Sequence, residues 1–234
     1  MKTIKKILSI DIGGTNIKSS VLDADGKLLT EYKKLPTPNP ATPNAVIKVI
    51  KKLTEGWDYD VIASGFPGYL KEGVVFTAPN LGTEVWKGCK FQDLLAKSFG
   101  KPARVVNDAD MQGLGIMSGK GFEIVVTLGT GFGSAFFYNG VLLPHMEVAH
   151  HPIKKDKTYD EYIGQKAFDK AGKKRWNEHL KFIIQTLKTV YNYDTLYLGG
   201  GNAKKIDFEL DKNIKIVTNE EGIDGGAKLW QQKA

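Results

Sequence analysis

One pattern occurs twice in this chain and limits its fold more than any other feature: strand, glycine turn, strand, hairpin, strand. In the first copy Ile7, Leu8, Ile10 and Ile12 mark a buried strand and Gly13-Gly14 a tight hairpin. Ile17, Val21 and Leu22 mark the returning strand, and Asp25-Gly26 a second hairpin before a strand over 28–35. In the second copy, residues 123–128 read as a strand, Gly129-Thr130-Gly131-Phe132-Gly133 as a glycine turn and 134–138 as a strand. Asn139-Gly140 then gives a type I′ hairpin signal ahead of a strand over 141–143. A strand follows each glycine turn, whereas Rossmann fingerprints and P-loops open a helix, so neither copy is one of those. Thr127 stands in the second copy where Asp11 stands in the first: the architecture repeats and the chemistry diverges.

The first turn has the composition of a phosphate cradle. The N–H groups of Gly13, Gly14 and Thr15 have no bulky side chain in the way, and the Thr15 hydroxyl and Lys18 add donors, with the Asp11 carboxylate beside them. Gly129, Thr130 and Gly131 offer a second anion site of the same kind. Gly199-Gly200-Gly201, at the end of a strand over 195–198 and ahead of a helix starting at 202–206, permits close approach of a flat or anionic ligand.

Between and beyond the two copies the pattern is α/β. A proline-rich crossing, 36–43, leads to a helix capped by Thr42 with Pro43 at its first position and Val46, Ile47, Val49, Ile50 and Leu53 on its buried face. Strands are expected at 61–64, 73–77, 103–106 and 214–217. Helices are expected around 92–99, after 110, over 159–171 and 174–191, and over 222–232. Gly68 closes a glycine-proline loop, and Asn80 lies in a loop whose amide can face a ligand. The strand over 103–106 ends in Asn107-Asp108-Ala109-Asp110, and the carboxyl end of a buried strand is where α/β folds place ligand chemistry. Of Asp108 and Asp110, one is expected to cap the following helix and the other to act.

With 41% hydrophobic and 25% charged residues among 234, the chain reads as globular and long enough for a substantial core. Lys2, Lys5 and Lys6 precede an apolar run as in a signal peptide, but Asp11 and Gly13 interrupt it, and no stretch approaches the roughly 20 apolar residues of a membrane span. The single cysteine, Cys89, excludes an intrachain disulfide and suits a reducing cytoplasm. The net charge of +7 is uneven: residues 101–153 carry 3 basic against 4 acidic side chains, and residues 154–234 carry 16 against 12. No nucleic-acid module accompanies the lysines, so no nucleic-acid partner is expected, and a basic surface serving an anionic substrate is left open.

Two glycine hairpins, an Asp at a strand end and a third glycine turn suit phosphoryl transfer, which needs charge stabilisation, a metal and an acceptor hydroxyl held in line. Asp11 would orient hydrated Mg²⁺, which keeps most of its waters. Asp108 would accept the proton of the acceptor hydroxyl. Asn80, Asn107, Glu147 and His150 combine donors and acceptors in the way that reads a neutral polyol, a better fit than a metal for the cluster 145–151. Everything rests on the two glycine bends meeting one anion opposite that carboxylate.

These residues carry a resemblance. Asp11-Ile-Gly13-Gly14-Thr15-x-x-Lys18, Asn107-Asp108-Ala-Asp110, Leu128-Gly129-Thr130-Gly131-x-Gly133-Ser134 and Leu198-Gly199-Gly200-Gly201 resemble the ROK family of sugar kinases, within the actin, hexokinase and Hsp70 superfamily. Pro40-Ala41-Thr42-Pro43, Gly73-Val74-Val75-x-Thr77-Ala78-x-Asn80, Trp86-x-Gly88 and Asn107-Asp108-Ala109-Asp110-x-x-Gly113-Leu114 resemble its polyphosphate glucokinase branch. The resemblance implies a two-lobed, ribonuclease H-like α/β fold with duplicated mixed sheets. Residues 1–106 would form a small lobe joined by the helix 222–234, and 107–221 a large lobe. It further implies glucose held by Gly68, Asn80, Asn107, Glu147 and His150, with Asp108 as base and ATP or inorganic polyphosphate as donor near Gly199, Gly200 and Gly201. Homodimers are implied as well. Kinases for mannose or an amino sugar, and sugar-sensing regulators, share the family; the regulators carry an added N-terminal DNA-binding segment, whereas here the first strand begins by about Ile7. Two departures stand out: Glu147-Val148-Ala149-His150 replaces Glu-x-Gly-His, putting a methyl beside the expected sugar site, and the family's cysteine-rich zinc motif is absent, so no structural zinc is expected.

Overall fold

The computed structural model describes residues 4–217 and 221–232. The described chain forms two compact units, one of residues 4–115 with 221–232 and one of residues 116–217.

In the first unit the strands β1 (Lys6–Ile12), β2 (Asn16–Asp23), β3 (Lys33–Pro36), β4 (Val61–Phe66) and, beyond the short hairpin β5 (Leu70–Lys71) and β6 (Val74–Val75), β7 (Ala103–Asn107) build one mixed sheet in the order β3-β2-β1-β4-β7. β2 runs antiparallel to β1 and β3, whereas β1, β4 and β7 are parallel, so their carboxyl ends share one edge of the sheet. The expected strand over 28–35 begins only at Lys33. Before it, Thr30 Oγ1 accepts the Val21 N–H at 2.9 Å and Ser20 Oγ donates to the Thr30 carbonyl at 2.9 Å, so side chains replace ladder bonds there. The strand expected over 73–77 is likewise cut to Val74–Val75, because Glu72 and Gly73, both at positive φ (52° and 74°), turn the chain into a tight hairpin with β5.

Helix α1 (Pro43–Leu53) starts as its sequence dictates, with Thr42 Oγ1 accepting the Ala45 N–H and Val46, Ile47, Ile50 and Leu53 buried on the sheet side. The short α2 (Thr83–Trp86) and α3 (Phe91–Phe99) frame an aromatic cluster of Phe66, Trp86 and Phe91, with ring centroids 4.8–5.4 Å apart. The Trp86 indole N–H donates to the Ala41 carbonyl at 2.7 Å, which ties the proline crossing to this cluster. α4 (Asp108–Ile116) follows β7 directly. The C-terminal helix, Glu221–Gln231, lies on the same sheet. Ser9 Oγ donates to the Ile223 carbonyl at 2.7 Å, Gly226 packs on Ser9, and Arg104 donates to the carbonyls of Leu229 and Gln232, both at 2.9 Å.

The second unit repeats the first. β8 (Phe122–Leu128), β9 (Phe132–Tyr138) and β10 (Val141–Leu142) form an antiparallel meander, and past the hairpin β11 (Pro152–Lys154) and β12 (Lys157–Thr158) come β13 (Thr195–Gly199) and β14 (Ile214–Ile216). The order is β10-β9-β8-β13-β14, again with two antiparallel neighbours on one side and two parallel ones on the other. Asn139 and Gly140 have φ of 48° and 81°, the type I′ geometry their sequence signals. The helices expected over 159–171 and 174–191 are instead α5 (Tyr159–Ile163) and α6 (Gln165–Tyr191). Thr158 and Glu161 close a capping box on α5, and α6 breaks its helical geometry at Gly172 (φ 72°, ψ 165°). The helix expected from 202 is a single 3₁₀ turn, Ala203–Lys205. A buried carboxylate anchors the sheet edge: Glu123 accepts bonds from Ser118 N–H and Oγ (both 2.8 Å), Gly119 N–H (2.7 Å), Lys120 N–H (3.1 Å) and the Tyr197 hydroxyl (2.9 Å). Burial raises its pKa, but those donors outweigh burial and hold it below the usual carboxylate range.

Candidate active site

In the first unit the sheet register gathers the expected residues at one edge. Asp11, near the end of β1, lies opposite Lys18 on β2 and opposite Gly65 on β4, and Phe66 of β4 pairs with Asn107 of β7. The Asp11 carboxylate and Lys18 ammonium are 3.1 Å apart, both half-buried. Burial opposes the charge on Lys18, yet Asp11, with Tyr32 and Asp108 further off, overcomes it and raises its pKa, so Lys18 stays cationic.

The turn after β1 is tighter than its sequence suggests. The Gly13 N–H donates to the Asn16 carbonyl at 2.9 Å, so it is spent inside the turn, and Thr37 braces the loop by donating from Oγ1 to Gly13 O (2.6 Å) and from N–H to Thr15 O (2.9 Å). Of the three expected amide donors, Gly14 and Thr15 are left exposed to meet an anion. A Cβ on Gly14 would stand 3.0 Å from the Asn80 Cβ, so Asn80, itself exposed, lies against this turn.

Asp108 opens α4, and its Cα packs against Gly65, where a Cβ would come within 3.3 Å. Neither Asp108 nor Asp110 is the principal cap. Asn107 Oδ1 accepts the N–H groups of Ala109 (2.8 Å) and Asp110 (3.4 Å), and Asn107 Nδ2 donates to the Gly68 carbonyl at 3.1 Å. Two lone pairs and one N–H of that buried amide are thereby engaged, which leaves one N–H for a ligand. Gly68 is buried, and a Cβ there would collide with the Thr77 carbonyl, so its contribution is to let the loop backbones meet.

The second unit holds the other expected residues. At the second glycine turn Gly129 N–H donates to Gly131 O (3.1 Å), Asn202 Nδ2 to Gly129 O (3.2 Å) and Gln165 N–H to Thr130 O (3.1 Å), while Thr130 itself is exposed. An acid absent from the sequence reading sits in this turn: Asp160 Oδ1 accepts the Phe132 N–H at 2.6 Å, and a Cβ on Gly131 would lie 2.6 Å from the same oxygen. Burial raises the Asp160 pKa; the Phe132 N–H and His150 act against that, and Glu147 with it. Gly200 is at φ 84° and fits against the Leu128 backbone, so one of the three consecutive glycines is spent on the turn itself, and the exposed Gly201 faces open space.

Glu147 lies 3.4 Å from His145 Nε2 and 4.0 Å from His150 Nε2. His145 is the main cause that holds the Glu147 carboxyl below its usual range. The Ala149 methyl is buried and belongs to the core cluster with Val148, Tyr159 and Tyr162. Cys89 is half-buried, and burial pushes its thiol up.

The ROK family model matches residues 7–152. The chain belongs to the ROK family. Polyphosphate glucokinase of Mycobacterium tuberculosis (strain H37Rv) is 34% identical over 209 residues, spanning 85% of this chain and 78% of that protein. Among solved structures, inorganic polyphosphate/ATP-glucomannokinase from Arthrobacter sp. strain KM superposes with a TM-score of 0.84 at 30% identity, covering 97% of this chain and 100% of that one. A ROK family glucokinase from Streptomyces griseus, in complex with glucose and AMPPNP, matches with a TM-score of 0.76 at 19% identity over 97% and 99% of the two chains, which speaks for the fold alone. The α/β architecture with two like mixed sheets is thus that of ROK sugar kinases, as the motifs implied. No helix among the described residues is long and apolar enough to cross a membrane.

Proposed function

We propose that this chain transfers a phosphoryl group from inorganic polyphosphate or ATP to the 6-hydroxyl of glucose. The observation that carries the reading is the single sheet edge that presents Asp11, Lys18, the open Gly14 and Thr15 amides, Asn80 and Asp108 together. In this reading the amides and Lys18 hold phosphoryl oxygens, and Asp108 accepts the proton of the attacking hydroxyl, held in place by the Asn107 cap. Asn80, the remaining Asn107 N–H, Glu147 and His150 read the sugar hydroxyls, with Gly68 shaping the loop beneath. Gly129, Thr130 and Gly131 hold the donor phosphates, and Gly199, Gly200 and Gly201 border the donor when it is a nucleotide.

The donor set suits hydrated Mg²⁺. One Asp11 oxygen is on Lys18 and the other remains, and no group of three or more His, Cys, Asp or Glu side chains among the described residues could cage an ion by itself. When bound through water at Asp11, the ion supplies charge neutralisation on the donor oxygens. We infer a cytoplasmic homodimer, as the motif resemblance implies; sedimentation of the purified protein tests the dimer.

The test is a panel of ATP and polyphosphate against glucose and mannose, with Mg²⁺ present. Glucose 6-phosphate is the expected product. Mannose is included because the Arthrobacter relative is named a glucomannokinase. No product with either donor overturns the proposal.

A further inference from the structure

The second unit carries a groove of about 800 Å³ that begins at Thr130 of the second glycine turn and runs between the β11–β12 hairpin and the first turns of α6. Six cations line it: Lys154, Lys155, Lys157, Lys166, Lys170 and Arg175. Three carboxylates share the lining, and two have internal duties, Glu161 on Thr158 at 3.0 and 3.3 Å and Asp160 on the Phe132 N–H; Asp156 is the third. Among the described residues, none of the six cations forms an ion pair with a carboxylate.

Folding accounts for one of the six, Lys154, whose ammonium lies over the rings of Phe182 and Tyr162 at 5.4 and 5.9 Å, and not for the rest. Lys166 and Lys170 are four residues apart on one exposed helix face, a like-charge pair that costs an isolated helix about 0.2–0.5 kcal/mol. Lys155 sits at the hairpin tip with φ 55°, a conformation that disfavours a long side chain and is commonly left to glycine or asparagine. The cations also crowd His179: burial lowers its pKa first, and Arg175, Lys157 and Lys154 push it further down. The kink at Gly172 lets Arg175, beyond the break, line the same groove as Lys166 and Lys170 before it.

We propose that this groove binds the chain of inorganic polyphosphate behind the reacting phosphate, so that the donor's end lies at Thr130 and its length follows the lysines. This rests on the proposed donor role of the second turn and deepens it. A linear polyanion suits the lining better than a nucleic acid or a nucleotide. Base-binding grooves offer free aromatic faces for stacking, whereas the two aromatic rings in this lining, Tyr162 and His179, are stacked on each other at 4.0 Å, with Tyr162 buried.

The experiment compares wild type with the exposed-site double variant Lys166→Gln/Lys170→Gln and the charge-keeping Lys166→Arg/Lys170→Arg. Binding of long-chain polyphosphate is measured directly, and KM is measured for long-chain polyphosphate, tripolyphosphate and ATP. The Gln variant is expected to bind the long chain about tenfold more weakly, with shallower salt dependence. KM for the long chain should rise to match while the values for tripolyphosphate and ATP hold, and the Arg variant should behave as wild type. Unchanged long-chain binding overturns the groove, as does an equal rise in the ATP KM. Parallel loss of a single-stranded oligonucleotide bound as tightly by wild type overturns it too, since the surface would then be a general polyanion binder. Binding is read without turnover, so an inactive wild type that still loses polyphosphate with the two lysines would sink the kinase reading and leave the groove standing.

Discussion

Asp108→Asn separates proton acceptance from the capping of α4. The substituted amide keeps an oxygen where Asp108 Oδ1 accepts the Ala109 N–H at 2.9 Å. The principal cap, Asn107 Oδ1 on the same N–H at 2.8 Å, is untouched. Lys18 loses only the more distant of its carboxylate neighbours and keeps Asp11 at 3.1 Å. A lost cap costs about 0.5–2 kcal/mol, and here the cap is kept. What disappears is the ability to take a proton, and positioned general bases contribute roughly 10²–10⁴ in rate. At about 1.4 kcal/mol per decade the barrier should rise by about 3–5.5 kcal/mol. A coupled assay for glucose 6-phosphate, run over glucose concentration with either donor, should show kcat and kcat/KM falling together and KM unmoved, the pattern of a contact made in the transition state. A variant that keeps kcat within about threefold would refute Asp108 as the base. A raised KM at constant kcat would instead make it a ground-state sugar contact.

Two further outcomes follow from buried carboxylates. Glu123→Gln turns an acceptor of five hydrogen bonds into a group that points an NH₂ at N–H donors, and should cost about 3–5 kcal/mol in denaturant unfolding without touching donor KM. Because the folded pKa of Glu123 is depressed, its stabilisation is complete above the unfolded value of about 4.3 and is lost as pH falls through the lower folded value; wild type should therefore lose more stability over that acid range than the Gln variant does. Asp160→Asn removes a negative charge from the second glycine turn while keeping an oxygen for the Phe132 N–H, and at about 1 kcal/mol for a solvated charge pair the donor KM should drop about fivefold. An unchanged or higher KM would mean that no donor phosphate visits that turn.

How much of this was legible in the sequence depended on whether a residue's partner was local. The repeated meanders, the Thr42-Pro43 helix start and the Asn139-Gly140 hairpin are set within a few residues, and the structure has all of them. The strand over 28–35 failed for a nonlocal reason: the Thr30 hydroxyl replaces a ladder bond from Val21, nine residues away. The capping of α4 was misplaced by one residue, because Asn107 ends a strand and caps a helix at once. Asp160 gave no sign, since its partner in the turn is 28 residues distant. For the groove, the basic excess of residues 154–234 and the Lys154-Lys155-x-Lys157 run were the signal available, and they leave open a basic surface serving an anionic substrate without placing it.

The duplicated sheets explain why one copy holds chemistry that the other lacks. Asp11 and Thr127 occupy the same register position, each flanked by a partner on the antiparallel strand and a glycine on the parallel one: Lys18 and Gly65 in the first unit, Gly133 and Gly199 in the second. Under the proposed function, an acid and a lysine side by side suit the place where the transferred phosphate changes charge, because each stabilises the other when the ligand is away. A threonine facing glycines suits a place where phosphate is only held, by backbone amides and by cations brought from elsewhere. In the second unit those cations lie in the groove past Thr130, and Asp160 sits on the turn as the anion a donor phosphate has to outcompete. Grafting Asp11 chemistry onto the second sheet by Thr127→Asp should therefore add a second carboxylate to the unit that already sets Asp160 on its glycine turn and weaken donor binding, and it should create no Mg²⁺ site like the one proposed at Asp11, because Gly133 leaves the new acid without its lysine.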